Sequence, residues 1–524
     1  MAKRFGVMID ASRNAVMKPE EVKSFATLLK KMGYNMIQLY TEDTYEIPEE
    51  PYFGYLRGRY THEELKDIVS FCHSIGMEVI PNIQTLAHLS QIFRWEEYTP
   101  IRDTDDILLV GDERTYALIE NMFKTLRECF TSEYVHIGMD EAHMLGLGKY
   151  KDIHGIHNRF EIIYEHLLRV IEIAKKYGFK PLIWSDMFFR LANAGQYYLT
   201  DPSIITDEVV AACPDGVDPV YWDYYSDKYE VYDTMLTAHE KFKGETWFAG
   251  GAWTWRGFVP DNRWSLKSME PAMRACAAHG VDNIFITLWG DNGRECSPYA
   301  VLPSLFAIRK FHDGVTDMET IKTDFKAVTG EDFDTMMLLD MPESIELSKR
   351  AFTKYMTYND PLLGYIDVLV KDGGAQEYGK IATKLAAYSE VSPRPYLFSH
   401  FAALADFLAI KYDLGVKTRN AYQSNDKNAL AALLSDYDLA ADRLRVMIDT
   451  FRTLWYKENK PHGFEIQEAR LGGLLYRLTS AKNRLSDYLN GTVDSLPELE
   501  ETLLPLPEKL LRYTWDEMIS TSRA

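Results

Sequence analysis

The stretch Ala278-His-Gly280-Val-Asp-Asn-Ile-Phe-Ile-Thr-Leu-Trp289 contains the unit from which the first part of the chain is built. An amphipathic helix ends in a glycine, and a short apolar strand begins almost at once. Glycine suits this position because the residue after a helix end adopts a left-handed backbone, which costs other residues a Cβ clash. The same junction recurs at Gly33, Gly76 and Gly178, with a looser copy at Gly244.

Eight such strands are predicted in the first 310 residues, each a continuous apolar run typical of a parallel sheet covered on both faces. They are Phe5–Ile9, Met36–Tyr40, Glu78–Asn82, Tyr134–Met139, Pro181–Ser185, Pro219–Asp223, Thr246–Gly251 and Asn283–Trp289. The clearest helices between them are Glu20–Lys31, Glu63–Ser74, Thr115–Phe130, Arg159–Tyr177, Tyr229–Lys241 and Leu266–His279. Eight strand–helix units predict an α/β fold, a (β/α)8 TIM barrel over residues 1–330. An open doubly wound sheet is the alternative, but no glycine-rich dinucleotide motif follows the first strand.

The remaining residues, 331–524, are predicted to form an all-helical C-terminal domain. Strand-like runs stop there, and apolar residues recur at helical spacing. Two sets share one helix face each: Leu430, Leu433, Leu434 and Tyr437, and Leu471, Leu474, Leu475 and Leu478. These faces either pack inside the chain or form the contact of a homodimer, and the sequence leaves both readings open.

Composition restricts the class of protein. The 58 basic and 78 acidic side chains give a net charge of −20. This balance argues against nucleic acid or an anionic membrane as a partner, because binding phosphate needs clustered cations. The 5 cysteines are scattered, which indicates reduced thiols. The apolar run at the N-terminus is too short for a signal peptide, and no stretch is long enough to span a membrane. We therefore expect a cytoplasmic protein.

Candidate site residues follow the predicted strands, because chemistry in such a barrel gathers at the carboxyl ends of the strands. In chain order they are Arg13, Asn82, His88, His136, Asp140, Glu141, Trp184, Trp222, Tyr224, Trp253, Trp289 and Asp291. Aromatic faces stack on the C–H faces of sugars, while carboxylates, Arg, Asn and His bind hydroxyls. The mixture indicates a neutral polyhydroxylated ligand rather than a phosphorylated one.

Two adjacent carboxylates end the fourth strand, in the stretch His136-Ile-Gly-Met-Asp-Glu141. Neighbouring residues on a strand point to opposite faces. If His136, Gly138 and Asp140 face the barrel interior, Glu141 lies just past the strand, where the chain turns. Both carboxylates can then flank one substrate from different directions.

This stretch resembles the His-x-Gly-x-Asp-Glu motif of family 20 glycoside hydrolases, the β-N-acetylhexosaminidases. The chain starts directly at the first strand, which is similar to the short intracellular branch that resembles hexosaminidase D. The resemblance implies that Arg13 binds hydroxyls of the terminal sugar, with Asn82 and His88 as a further polar group. It also implies that Trp184 and Trp289 wall the sugar site and that Asp291 accepts a sugar hydroxyl. The family more often has Asp at the Asn82 position and Glu at the Asp291 position.

The mechanism implied by the resemblance is retaining hydrolysis with substrate assistance. Glu141 would be the general acid and base, and Asp140 would stay ionised and hold the acetamido group. Tyr224 would bind the acetamido oxygen, with Tyr225 and Tyr221 as alternatives, and tryptophans, among them Trp222 and Trp253, would exclude water. The expected substrate is a small glycoside or oligosaccharide with a terminal β-linked N-acetylhexosamine, cleaved without a metal or other cofactor.

Three other functions are open from the residues alone. A conventional two-carboxylate barrel glycosidase would combine the pair with a carboxylate from another strand: Asp186, Asp223 or Asp291. A metal-dependent hydrolase would use histidines near the fourth strand: His136, His143, His154 and His157. A non-catalytic sugar-binding barrel would keep the aromatic residues without turnover.

Overall fold

The computed structural model describes residues 3–344, 352–506 and 514–522. Eight parallel strands close into a barrel, in which each strand pairs with the next and the eighth pairs with the first. The strands are β1 Arg4–Asp10, β2 Met36–Tyr40, β3 Glu78–Asn82, β4 Tyr134–His136, β5 Lys180–Trp184, β6 Asp218–Trp222, β7 Trp247–Gly251 and β8 Asn283–Leu288. The predicted TIM barrel is confirmed, and every strand end except the end of β4 lies within one residue of its predicted position.

Helices surround the barrel: α1 Pro19–Lys31, α2 His62–Ser74, α3 Glu113–Cys129, α4 Lys149–His154, α5 Arg159–Lys176, α6 Asp186–Ala192, α7 Asp207–Ala211, α8 Tyr229–His239, α9 Asn262–Ala278 and α10 Leu302–His312. Local chemistry fixes their starts. Thr61 and Glu64 form a capping box at α2, in which each side chain satisfies a free backbone amide of the other residue. Pro19 occupies the first turn of α1, where its missing amide hydrogen costs nothing.

The fourth strand is shorter than predicted. The sequence favours a strand up to Met139, but β4 ends at His136. Gly138 and Met139 both have a φ of 71°, in the left-handed region, so the extended backbone cannot continue. Asp140 and Glu141 therefore lie on a loop, where strand alternation does not set the direction of their side chains.

The rest of the chain is helical, as predicted: α11 Met318–Thr329, α12 Phe333–Met337, α13 Phe352–Tyr358, α14 Gly374–Ser389, α15 Pro395–Lys411, α16 Leu414–Gln423, α17 Lys427–Glu458, α18 Phe464–Leu489, α19 Pro497–Glu500 and α20 Trp515–Ile519. Helix α14 packs on α15, α15 on α17 and α17 on α18. Leu430 and Tyr437 of α17 are fully buried, as are Leu471 and Leu478 of α18. The two leucine faces are thus covered within the chain, and a homodimer stays a prediction.

The helical part is joined to the barrel by a buried ion pair. Lys354 of α13 lies 2.7 Å from Glu295 in the loop after β8, and each side chain is only 1% exposed. Burying two charges is tolerated only when they meet each other and further hydrogen-bonding groups. The Lys354 ammonium also donates to the backbone oxygen of Asn292, which fixes the loop after β8 against α13.

Within the described ranges, no helix is both long enough and apolar enough to cross a bilayer. All five cysteines are buried as free thiols.

Candidate active site

A cavity of about 180 Å³ opens at the carboxyl end of the barrel strands. It brings together residues from the carboxyl ends of seven strands and the loops that follow them: Arg13, His88, Asp140, Glu141, Trp184, Trp222, Tyr224, Tyr225, Trp255, Trp289 and Asp291. Most of the residues predicted from the sequence therefore share one surface. The cavity combines carboxylates and cations on one side with aromatic rings on the other.

Three of the predicted residues lie behind this surface. Asn82 is fully buried inside the barrel, where its amide donates to Gln38 Oε1 at 2.8 Å. The His136 ring is also buried; it packs on Trp184 with ring centroids 4.2 Å apart, and burial lowers its pKa to about 3. Trp253 donates its indole N–H to the backbone oxygen of Tyr224 at 3.1 Å. These residues support the walls of the cavity and do not line it.

Two residues in and behind the cavity wall were not assigned from the sequence. Trp255 lines the cavity and stacks on Trp253 with centroids 4.5 Å apart. Its position just after β7 is the signal that could have found it. Gln84, just past β3, lies behind the carboxylates, and its amide donates to Asp140 Oδ1 at 2.7 Å. No sequence motif links it to the fourth strand, so only the fold reveals this contact.

The Asp140 carboxylate is held in its charged form. Burial favours the neutral acid, but the nearby His88 charge and the hydrogen bonds from His88 and Gln84 outweigh it and lower the Asp140 pKa to about 2. His88 Nε2 lies 3.2 Å from Asp140 Oδ2. Gln84 in turn accepts the amide hydrogen of Met139, so it fixes the loop and the carboxylate together. Asp140 is therefore an oriented anion facing the cavity.

His88 is the cation of this pair. Burial opposes its charge, but Asp140 raises the His88 pKa to about 9, so the ring is protonated at neutral pH. Its other nitrogen, Nδ1, lies 3.3 Å from an Arg13 nitrogen. His88 also has a φ of 58°, in the left-handed region of the backbone.

Glu141 differs from Asp140 in its surroundings. Its side chain is 42% exposed, with one oxygen 3.8 Å from His88 and the other 3.9 Å from Arg190. Its φ of 50° is again left-handed, and its amide donates to the Asp186 carboxylate at 3.2 Å. Asp186 is fully buried behind the site, and burial, followed by the charges of Asp140 and Glu141, raises its pKa to about 7. Glu141 is thus the accessible carboxyl group of the pair.

The aromatic wall is connected by hydrogen bonds as well as by stacking. The Trp289 indole N–H donates to the Tyr224 hydroxyl at 3.0 Å. Trp222 stacks on Tyr224 with centroids 5.6 Å apart. Burial raises the Tyr224 pKa well above its ordinary value, so the phenol keeps its hydrogen. Because the oxygen already accepts from Trp289, that hydrogen is available for a ligand.

Arg13 and Asp291 form a further part of the cavity wall. Arg13 Nε donates to Glu42 at 2.8 Å. Asp10 ties the two loops together, since one of its oxygens accepts the Arg13 amide at 3.2 Å and the other accepts the Gly290 amide at 2.8 Å. Burial raises the Asp291 pKa to about 6, with Arg13 opposing that shift. A cation and a carboxylate side by side can bind neighbouring hydroxyls of one sugar.

Most of the alternative groups named from the sequence do not line the cavity. The Asp223 carboxylate is fully buried and accepts hydrogen bonds from the hydroxyls of Tyr198 and Tyr221. Tyr221, an alternative for the acetamido-binding tyrosine, is fully buried as well, whereas Tyr225 lines the cavity. The rings of His154 and His157 pack against Tyr150, and His143 is exposed two residues after Glu141. Within the described ranges, no three His, Cys, Asp or Glu side chains are grouped as a metal site.

Two known proteins that share one name are similar to part of this chain. Hexosaminidase D of Bos taurus is 25% identical over 242 residues, which are 44% of this chain and 63% of the relative. Hexosaminidase D of Homo sapiens is 24% identical over 227 residues, 41% of this chain and 44% of the relative. The chain therefore spans less than two thirds of the length of either relative.

Two solved structures are also similar to parts of this chain. A chitobiase of Flavobacterium johnsoniae has 16% sequence identity and a TM-score of 0.49, covering 95% of this chain and 74% of that one. An N-acetyl-beta-hexosaminidase of Streptomyces plicatus has 18% identity and a TM-score of 0.47, covering 63% of this chain and 69% of that one.

Two family models match separate parts of the sequence. The model described as the catalytic domain of glycosyl hydrolase family 20 matches residues 5–206. The model described as the glycoside hydrolase 20C C-terminal domain matches residues 332–511. Together they cover more than two thirds of the sequence, and the chain belongs to glycoside hydrolase family 20.

Proposed function

We propose that the chain is an exo-acting, retaining β-N-acetylhexosaminidase. It releases terminal β-linked N-acetylglucosamine, N-acetylgalactosamine or both through an oxazolinium intermediate. The observation that carries the proposal is the pair of carboxyl groups with different surroundings. Asp140 is buried and held as an anion, while Glu141 beside it is accessible, and both face an aromatic cavity.

In the first step Glu141 donates its proton to the glycosidic oxygen. The substrate's acetamido oxygen attacks the anomeric carbon from the opposite face, and the bond to the leaving oxygen breaks. An oxazolinium ion forms, and the aglycone leaves as an alcohol. Asp140 accepts the acetamido N–H and stabilises the positive charge that develops next to it. The Tyr224 hydroxyl donates to the acetamido oxygen and holds it in line.

In the second step the Glu141 carboxylate takes a proton from water. The water oxygen attacks the anomeric carbon from the side that the aglycone has left, and the oxazolinium ring opens to restore the acetamido group. Two inversions at one carbon give net retention. Arg13 and Asp291 bind ring hydroxyls, and Trp184, Trp289 and their neighbours keep other water molecules away from the oxazolinium ion.

The conventional two-carboxylate route is less well supported. It needs a second carboxylate about 5–5.5 Å across the bond from the acid. Asp186 and Asp223 are fully buried and do not line the cavity. Asp291 does line it, but it lies with Arg13 on the side assigned to the sugar hydroxyls. A 2-fluoro glycoside that traps covalent intermediates should therefore leave the protein unlabelled in a mass spectrum.

The test of the proposal is a panel of 4-nitrophenyl β-glycosides that differ only at C2 and C4. The N-acetylglucosaminide or the N-acetylgalactosaminide should be hydrolysed. The glucoside should be at least about a thousandfold poorer, because it lacks the internal nucleophile. Comparable rates for the glucoside and the acetamido sugars would contradict substrate assistance. Activity should also be insensitive to a chelator, which separates this function from metal-dependent hydrolysis.

Variants of the pair distinguish the two roles. Asp140→Asn and Glu141→Gln should each lower kcat by several orders of magnitude with an unchanged circular dichroism spectrum. The Glu141→Gln loss should be much smaller on a 2,4-dinitrophenyl glycoside, whose leaving group needs no proton, whereas the Asp140→Asn loss should not recover. Glu468→Gln, at an exposed position of α18, is the matched control. Near-normal rates for Glu141→Gln on the nitrophenyl glycoside would end the assignment.

We also infer a cytoplasmic location, supported by five buried free thiols. Cell fractionation tests it. The division into a barrel over residues 1–330 and a helical domain over residues 331–524 is proposed in the same way, with limited proteolysis as its test.

A further inference from the structure

Helix α6 places two charged residues directly behind Glu141, the proposed acid. Asp186 is its first residue and is fully buried, and Arg190 lies one turn later with only 19% of its side chain exposed. Residues four apart share one face of a helix, and both of these side chains contact Glu141. Neither of them lines the cavity. Any effect that they have on the substrate must therefore pass through the residues that they touch.

One oxygen of Asp186 holds two partners at once. Its Oδ2 accepts the backbone amide of Glu141 at 3.2 Å and Nε of Arg190 at 3.1 Å. The first of these bonds matters because Glu141 has a left-handed φ of 50°. A residue with a Cβ keeps such a conformation only when the surrounding structure holds it there. Asp186 thus fixes the backbone from which the Glu141 carboxyl group extends.

Arg190 reaches the other end of Glu141. Its terminal nitrogen Nη2 lies 3.9 Å from Glu141 Oε1, whereas an N–H···O hydrogen bond spans about 2.7–3.2 Å. The guanidinium therefore attracts the carboxylate without occupying the oxygen that has to carry the proton. Glu141 is a carboxylate after it has protonated the glycosidic oxygen and until it takes a proton from water. The attraction acts on this form and keeps the side chain next to α6.

Arg190 is itself held in place. Its guanidinium lies over the ring of Tyr197, 5.5 Å from the centroid, and its Nη1 donates to the backbone oxygen of Gly195 at 3.4 Å. The Tyr197 ring in turn stacks on Trp222, a cavity residue, with centroids 4.6 Å apart. Together with Asp186, these contacts restrain the guanidinium from several directions. Arg190 is therefore a fixed cation with a defined distance to Glu141.

The loops after β1 and β8 are held from a different direction. Asn14 donates to the backbone oxygen of Gly463, just before α18, at 2.8 Å, and Gln467 of α18 donates to the backbone oxygen of Gly293 at 2.7 Å. Helix α18 thus supports the loops whose residues are proposed to bind the sugar hydroxyls, whereas α6 supports the proposed acid. A change in α6 should therefore affect proton transfer much more than sugar binding.

We infer that Asp186 and Arg190 are positioning residues for proton transfer by Glu141. The inference rests on the proposed function. Asp186 holds the Glu141 backbone and Arg190 together, and Arg190 keeps the Glu141 carboxyl group in one orientation at the cavity. In the first step the proton moves from Glu141 to the glycosidic oxygen, and in the second step a proton returns to Glu141 from water. Asp186 and Arg190 exchange no proton with the substrate.

The test uses leaving groups that differ in their need for a proton. On phenyl β-N-acetylglucosaminide, or on the N-acetylgalactosaminide if the wild type prefers it, Arg190→Gln should lower kcat/KM about tenfold with little change in KM, because a misplaced acid transfers its proton slowly. On the 2,4-dinitrophenyl glycoside, whose leaving group departs without a proton, the loss should stay below about twofold.

Equal losses on the two glycosides would overturn the inference, because a general disturbance of the barrel does not depend on the leaving group. Unchanged rates on both would overturn it as well. A wild type that hydrolyses neither N-acetylhexosaminide would overturn the proposed function, and the inference with it.

Variants of Asp186 provide the second readout. Asp186→Asn retains an oxygen that can accept both hydrogen bonds, so its loss on the phenyl glycoside should be about tenfold smaller than that of Asp186→Ala. When Glu141→Gln is already present, Arg190→Gln and Asp186→Asn should lower the rate no further, because the group that they position no longer donates a proton. A further loss of the full size in that background would refute the inference, even if Asp186→Ala failed to fold.

Arg274→Gln is the matched control. Arg274 of α9 has a similar arrangement, with the carboxylate of Glu270 one turn earlier at 3.8 Å and the ring of Tyr229 at 4.8 Å. It does not line the cavity. Its rates on both glycosides should equal those of the wild type. The same selective loss in this control would show that the effect of Arg190→Gln does not come from its place beside Glu141, and would overturn the inference.

Discussion

The substitution His88→Gln tests whether the charged pair of His88 and Asp140 in the cavity wall behaves as the contacts require. Glutamine keeps a hydrogen-bonding group but removes the positive charge 3.2 Å from Asp140. Raising the His88 pKa from 6.5 to about 9 corresponds to about 3 kcal/mol. Lowering the Asp140 pKa from 3.8 to about 2 corresponds to about 2 kcal/mol. The two partners therefore bracket the contribution of the pair to the free energy of unfolding.

The sign of the pH dependence follows from the two shifts. The folded-state pKa of His88 is raised, so its contribution is complete below pH 6.5 and is lost as the pH rises through about 9. The pKa of Asp140 is lowered, so its contribution is present above pH 3.8 and is lost as the pH falls through about 2. The pair thus stabilises the fold fully between about pH 3.8 and pH 6.5. This stabilisation is lost above about pH 10.

The assay is urea unfolding, followed by tryptophan fluorescence, for both proteins at about pH 6 and about pH 10. At the lower pH the variant should be about 2–3 kcal/mol less stable than the wild type. At the higher pH the two should converge, because the wild-type ring is then neutral. His73→Gln, on the exposed face of α2, controls for losing a histidine. An equal loss of stability with pH in wild type and His88→Gln would refute the reasoning.

Three further substitutions probe other parts of the molecule. Lys354→Met leaves Glu295 without its nearest cation and should lower the free energy of unfolding in urea by about 3 kcal/mol. The double variant, Lys354→Met with Glu295→Gln, should recover part of this loss, and no recovery would contradict the pairing. Gly138→Ala puts a methyl group 2.1 Å from a glutamine oxygen at a φ of 71°. It should lower kcat at least about tenfold, whereas Gly155→Ala, with a φ of 83° and open space around it, should not. Tyr224→Phe removes the proposed donor to the acetamido oxygen and should lower kcat about 10²–10³-fold with little change in KM. A loss confined to KM would show that the hydroxyl only binds the substrate.

The barrel was predictable because its signal is local. Helix, terminal glycine and apolar strand follow one another in the sequence, and residues such as Gly178 and Gly280 do adopt the left-handed conformation expected of them. The carboxyl ends of parallel strands must then meet at one end of the barrel. This geometry alone brings Arg13, Glu141 and Asp291 to one cavity across some 280 residues of chain.

The sequence could not predict which side chains near the strand ends are buried in the core and which line the cavity. Asn82 ends β3, as predicted, whereas His136 ends β4, which was predicted to continue to Met139. Both side chains are buried in the barrel core. Trp253 and Trp255 come just after β7, where the chain has left the strand and alternation no longer applies; only Trp255 lines the cavity. The support that Gln84 gives to the catalytic loop joins two strands and has no signal along the chain.

The contacts of α18 with the loops after β1 and β8 have a practical consequence for protein engineering. The barrel of this chain cannot be treated as an interchangeable catalytic module, since two of its rim segments take their shape from a helix more than 150 residues downstream of β8. A chimera that joins this barrel to the C-terminal helices of another protein would retain the acid and its neighbouring anion. It would lose the alignment of Arg13 and Asp291, the residues proposed to bind the sugar, unless the first turns of α18 were transplanted with it.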